Sequence, residues 1–120
     1  MKGRFGLIEK FKEAGLNNCF ISEITLAELK FGVQNSQQID KNAETLSKFL
    51  NNLKILPIIQ ALDIYASEKM RLRKAGTAIG DFDLLIGATA VANQLTMVTN
   101  NVGEFSRIKN INLEDWTKEA

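Results

Sequence analysis

The sequence predicts an α/β fold, a three-layer sandwich with a mainly parallel sheet, built as a single domain over residues 1–120. Three observations carry this prediction. Short apolar runs at 19–22, 55–59 and 96–99 have the composition of buried strands. Stretches with helical periodicity lie between them, and strands alternating with helices build a parallel sheet covered on both faces. Hydrophobic residues make up 45% of the chain, charged residues 24%, and Pro occurs once, so there is material for a core and none of the bias of a disordered segment.

Taken in order, Phe5, Ile8 and Phe11 recur at helical spacing among Glu9, Lys10 and Glu13, and Gly15 follows as a stop signal, which predicts a short amphipathic helix over 5–14. Cys19-Phe20-Ile21-Ser22 reads as a brief buried strand. The segment from Ser22 to Val33 reads as a helix, with Thr25 and Glu28 spaced as a capping box. Residues 36–53 show the clearest helical period, with Ile39, Ala43, Leu46, Leu50 and Leu53 on one face and Lys41, Glu44 and Lys48 opposite. Ile55-Leu56-Pro57-Ile58-Ile59 reads as a strand whose Pro argues for an edge or an end. Ala61, Tyr65, Glu68 and Leu72 mark another helix, closed by Gly76. A loop containing Gly80 then delivers Asp81 and Asp83 to the start of an almost wholly apolar helix. Thr96 to Thr99 is a strand of the buried parallel type, followed by a loop with Asn100, Asn101 and Gly103 and by a last short strand before Trp116. No internal repeat or linker interrupts the pattern.

Composition narrows the chemistry. The chain has no His, which removes imidazole acid–base catalysis, His-based triads and most zinc sites together. Cys19 is the single Cys, so no internal disulfide forms, and it reads as a small buried apolar residue rather than a nucleophile. No leader-like segment is visible and no apolar run reaches the roughly 18 residues of a membrane span, so the expectation is a cytoplasmic protein without a membrane partner. The formal net charge of +1 makes no demand for a polyanionic partner, so any such binding is local.

Carboxylates are left to carry the chemistry. Ligands of parallel sheets gather at the carboxyl ends of strands. Glu28 follows the strand ending at Ser22, Asp83 opens the helix after Gly80, and Asn101 and Glu104 follow the strand ending at Thr99. Converging carboxylates repel unless a cation offsets them, and oxygen ligands suit Mg²⁺ or Mn²⁺. Such a site acidifies a bound water and offsets charge on a phosphodiester. Each residue also has a plainer reading: Glu28 as the cap partner of Thr25, Asp81 as an N-cap, Asp83 as an acid favoured by the helix dipole, Asn101 and Glu104 as loop polar groups. Lys69, Arg71, Arg73 and Lys74 either bind phosphates or form a solvated helix face.

The order of these segments resembles a family. A short strand leads into Ser22-Glu23-Ile24-Thr25-Leu26-Ala27-Glu28-Leu29, then come Ile79-Gly80-Asp81-Phe82-Asp83-Leu84-Leu85-Ile86, Val98-Thr99-Asn100-Asn101 with Glu104-Phe105, and Leu113-Glu114-Asp115-Trp116. Over residues 16–116 the chain is similar to PIN domains of the VapC toxin type. The resemblance implies a Mg²⁺-dependent ribonuclease, the toxin of a toxin–antitoxin pair, dimerising through the helices of residues 23–53 and inhibited by a small antitoxin protein. By position, Glu28 and Asp83 match acidic metal ligands of the family, Asn101 falls at its fourth acidic position, and Thr99 matches a supporting hydroxyl residue. Asp81 is a further acid without a family role, and Glu104 a possible helper.

One departure matters. PIN domains open with an apolar strand ending in Asp, a principal metal ligand, whereas this chain begins Met1-Lys2-Gly3-Arg4-Phe5-Gly6-Leu7. The expected fold therefore lacks the family's first strand, which sits in the interior of the sheet. N-terminal truncation, strand exchange with a partner chain, and closure of the flanking strands on each other all account for this. Two functional readings follow: a metal-dependent ribonuclease, or a catalytically inactive PIN-like module that binds protein. A phosphatase-like or receiver-like reading ranks below both, because no Asp stands at the end of a central strand.

Overall fold

The structure is a computed structural model, and it describes residues 19–115. The helix expected over 5–14, and Trp116, lie outside the described residues. The chain divides into two compact units, one ending at Leu56 and the other beginning at Pro57.

In the first unit β1 (Phe20–Ser22) runs directly into α1 (Glu23–Gln34), followed by α2 (Ile39–Leu50) and β2 (Lys54–Leu56). β1 and β2 pair in parallel, with Phe20 opposite Lys54 and Ser22 opposite Leu56. Ile21 and Ser22 are buried on β1 and Cys19 just before it, and the Lys54 ammonium lies 5.7 Å from the centre of the Phe20 ring. The strand stops at Ser22 because that residue caps α1. Its backbone is extended (φ −79°, ψ 161°) and its Oγ accepts from the Thr25 N–H at 3.0 Å, satisfying one of the unpaired donors of the first turn. Thr25 is thus already inside the helix, its Oγ1 lies 3.1 Å from Ser22 Oγ, and the expected Thr25–Glu28 capping box does not form. α2 is shorter than the periodic stretch that predicts it. Leu46 and Phe49 are buried on it and Leu53 just beyond it, whereas Ile39 and Ala43 are exposed. The strand expected over 55–59 ends at Leu56, since Pro57 has no N–H to continue a ladder.

In the second unit a 3₁₀ turn (Ile59–Ala61) leads into α3 (Leu62–Lys74), then α4 (Asp81–Ala92), β3 (Thr96–Val98), a four-residue α5 (Val102–Phe105) and β4 (Asn112–Glu114). β4 lies parallel to β3, with Met97 opposite Leu113. The stretch after Thr99, expected as loop alone, contains α5. The core holds Leu72, Leu84, Phe105 and Ile108, ringed by Tyr65, Ile79, Val91, Met97, Ile111 and Leu113. Gly87 lets α4 approach this core closely, because a side chain there would run into the Ile108 Cδ1. Two helix ends share one device. After α3, Thr77 N–H donates to Leu72 C=O (2.9 Å) and Gly76 N–H to Arg73 C=O (3.1 Å), with Gly76 at φ 72°. After α4, Leu95 N–H donates to Ala90 C=O (3.0 Å) and Gln94 N–H to Val91 C=O (3.1 Å), with Gln94 in the left-handed region at φ 55°.

The parallel α/β class is therefore observed, as two two-stranded ladders. Among the described residues β1 pairs only with β2, and β3 only with β4.

Candidate catalytic site

Among the described helices, the start of α4 is the most acidic, with Asp81 and Asp83 in its first turn. Gly80 occupies the N-cap position in extended backbone (φ −61°, ψ 150°), so Asp81 is the first helical residue and not the cap expected for it. The first intrahelical bond runs from Leu84 N–H to Gly80 C=O (2.9 Å), which leaves the N–H groups of residues 81–83 directed out of the helix. Negative charge is favoured there. Asp83, at the third position, is half-buried.

Asp81 is exposed and engaged. Its Oδ1 accepts from Tyr65 Oη at 2.8 Å and from Lys69 Nζ at 2.8 Å, and the ammonium donates to Tyr65 Oη at 3.2 Å while lying 5.5 Å from that ring's centre. The hydrogen bond from Lys69, helped by that from Tyr65, holds the Asp81 carboxyl below the ordinary range, and the same bond raises Lys69. An acid held by two donors is a poor additional metal ligand.

A second acidic corner forms behind β3. Thr99 is buried; its N–H donates to Glu114 C=O (3.0 Å), which prolongs the ladder, and its Oγ1 accepts from Asn101 N–H (3.0 Å). Asn101 Nδ2 in turn donates to Glu104 Oε2 at 2.5 Å. The structure thus links Thr99, Asn101 and Glu104 in one short chain of hydrogen bonds. Glu28 lies in the first unit, half-buried at the sixth position of α1, too far along the helix to cap it.

The basic run on α3 is partly occupied. Arg71 donates from Nε and Nη2 to the two oxygens of Glu68, both at 2.7 Å, and from Nη2 to Arg107 C=O at 2.7 Å. Glu68 also accepts from Lys109 N–H at 2.6 Å and is only 6% exposed. Arg71's hydrogen bonds hold its carboxyl below the ordinary value, outweighing the burial that would raise it. In the sequence Glu68 passes for an ordinary helix residue. The available signal was its place on the apolar face, three residues after Tyr65 and four before Leu72. Arg73 and Lys74 are exposed. Cys19 is buried and burial raises its thiol, which argues against a nucleophile.

The candidate donors are carboxylate and amide oxygens, which suit a hard divalent cation in kind. Among the described residues no three Asp, Glu, Cys or His side chains gather closely enough to hold a metal ion.

Known proteins give this arrangement a context. The PIN domain family matches residues 5–111. Ribonuclease VapC2 of Rickettsia felis is 42% identical over 103 residues, 85% of this chain and 77% of the relative. The tRNA(fMet)-specific endonuclease VapC of Salmonella typhimurium is 35% identical over 97 residues, 80% of this chain and 74% of the relative. Among solved structures, DNA-bound VapBC from Salmonella typhimurium superposes with a TM-score of 0.83 at 33% identity, covering 92% of this chain and 83% of that one. VapBC2 from Rickettsia felis, bound to a DNA fragment from its promoter, gives 0.78 at 37% identity, covering 93% and 83%. A family match over most of the chain, relatives above 30% identity and a shared parallel α/β fold agree, and the chain belongs to the PIN-domain family, among the VapC ribonucleases.

Proposed function

We propose that this chain is a divalent-metal-dependent endoribonuclease and the toxin of a toxin–antitoxin pair, acting as one domain in the cytoplasm, dimerising with a second copy and held inactive by an antitoxin protein. The observation that carries the proposal is its 42% identity with a VapC ribonuclease over 85% of its length. Asp83 supports it, because the helix start presents a half-buried carboxylate immediately before the apolar run Leu84-Leu85-Ile86. Among the described residues no helix is long and apolar enough to cross a membrane.

Glu28 and Asp83 are assigned as ligands of Mg²⁺ or Mn²⁺ from their places in the family pattern. A divalent cation, when bound, offsets charge on the phosphodiester and acidifies a water for attack. The chain's own residues do the rest. The dipole of α4 favours the anionic form of a group at its N-terminus. Thr99 Oγ1 accepts from the Asn101 N–H and Glu104 accepts from the Asn101 side-chain amide, so the amide oxygen of Asn101 retains its acceptor capacity. The test is cleavage of mixed RNA by the purified chain with Mg²⁺ or with chelator, beside Asp83→Asn. Cleavage that needs the cation and falls by about a hundredfold or more in the variant supports the assignment. No cleavage, or cleavage untouched by Asp83→Asn, overturns it and favours the protein-binding module.

A further inference from the structure

The four cations of α3 do not form one cluster. Residues three or four apart share a face of a helix, so Lys69 and Arg73 lie on one flank of α3 while Arg71 and Lys74 lie on the other. The hydrogen bonds identify what each flank adjoins. Lys69 reaches Asp81 at the first position of α4, the helix that carries Asp83. Arg71 reaches Glu68 and the carbonyl of Arg107, in the segment between α5 and β4.

We propose that Lys69 and Arg73 are the phosphate contacts that lead a single-stranded RNA backbone to the start of α4, and that Arg71 and Lys74 lie outside this track. The proposal rests on the ribonuclease reading and names the binding residues for it. The Lys69 ammonium is held in place before any ligand arrives: Asp81 and Tyr65 take two of its three N–H donors, and among the described residues the third is left for a phosphate oxygen. Holding the long side chain in advance lowers the ordering cost of binding. The Lys69–Asp81 pair is exposed on both sides, 44% and 56%, so water screens it and the ammonium is shared with an incoming anion at small loss. The same pair neutralises Asp81, whose bare charge beside Asp83 would repel a polyanion. One turn further along the flank, Arg73 is exposed and has no ion pair among the described residues, so its guanidinium fork is open to a second phosphate. Arg71, by contrast, is spent on Glu68, and Lys74, three residues on, shares the flank of Arg71.

The experiment measures binding apart from cleavage. A short labelled single-stranded RNA of mixed sequence is titrated with the full chain in chelator, by fluorescence anisotropy, across a fourfold range of salt. Lys69→Met and Arg73→Gln are each expected to weaken binding and to flatten the logarithmic salt dependence by about 0.7, one phosphate contact, equivalent to about 2.6-fold in affinity over that range. Lys69→Arg is expected to recover most of the loss, and Lys74→Gln, which removes the same charge from the other flank, to match the wild type. If Lys69→Met fails to fold, Arg73→Gln against Lys74→Gln carries the comparison. Equal effects at Arg73 and Lys74, or an unchanged slope in both Lys69→Met and Arg73→Gln, overturn the track while Asp83-dependent cleavage leaves the ribonuclease reading standing. A wild-type chain that does not bind RNA in chelator overturns the track, and the ribonuclease reading then stands or falls on Asp83-dependent cleavage with Mg²⁺.

Discussion

Replacing Glu68 is the sharpest probe of how the second unit holds together. Its carboxylate is buried and receives three bonds: two from the Arg71 guanidinium at 2.7 Å and one from the Lys109 N–H at 2.6 Å. Hydrogen bonds to a charged group contribute about 1.5–3 kcal/mol each, but they are not additive, and the Arg71 side chain, 45% exposed, regains water when released. Glu68→Ala leaves the Lys109 N–H unpaired as well, so the expected loss is about 3 kcal/mol, at the lower end for breaking a buried ion pair from one side. With a urea slope of about 1.5 kcal/mol/M, the unfolding midpoint falls by about 2 M. Glu68→Gln keeps the shape and one acceptor but turns an amide N–H₂ toward a guanidinium, and is expected to cost about half as much. The pH dependence separates charge from shape. The folded-state pKa of Glu68 is depressed, so its contribution is complete above the unfolded value of about 4.3 and is lost as pH falls through the lower folded value. The gap between wild type and Glu68→Gln should therefore stay constant in the neutral range and close in acid. A midpoint shift for Glu68→Ala below about 0.5 M, or a gap that persists undiminished at about pH 3, refutes the reasoning.

Two further substitutions test the packing and the turns. Gly87→Ala gains about 1 kcal/mol of helix propensity, yet the new methyl meets Ile108 Cδ1 and lies 3.4 Å from Ile111 Cδ1 and 3.5 Å from Phe105 Cδ1. Overpacking at about 1–3 kcal/mol wins, so the melting temperature should fall by roughly 4 °C; a rise means that Ile108 moves aside freely. Gln94→Gly relieves a left-handed residue at the end of α4 and should stabilise by about 0.5–1 kcal/mol after the extra freedom of the unfolded Gly is subtracted, read as a higher urea midpoint; a lower midpoint shows that the Gln94 side chain contributes contacts worth more than the backbone relief.

The longer helices of the described residues and the parallel class were legible in the sequence, because periodicity and stop signals are properties of consecutive residues. The short strand into Ser22, the stop at Gly76 and the acidic start of the helix bearing Asp83 are all local patterns. Where local signals competed, the nearer geometry decided. Ser22 displaced Thr25 as cap because the chain turns helical at Glu23, and Gly80 displaced Asp81 because extended backbone continues to residue 80. The four-residue α5 was not legible, since one helical turn carries too little periodicity to read.

The site divides in the same way. Asp83 at a helix start, the hydroxyl of Thr99 and the oxygen-only donor set without His are visible in the chain itself. Partnership is not. Lys69, Arg71, Arg73 and Lys74 read as one basic run, yet Lys69 pairs with Asp81, 12 residues on, and Arg71 with Glu68, which also binds the Lys109 N–H, 41 residues on. Helical spacing separates the two flanks, but only packing determines which acid each flank meets, because an ion pair depends on distance in space and on exclusion of water, and neither is encoded in the order of neighbouring residues.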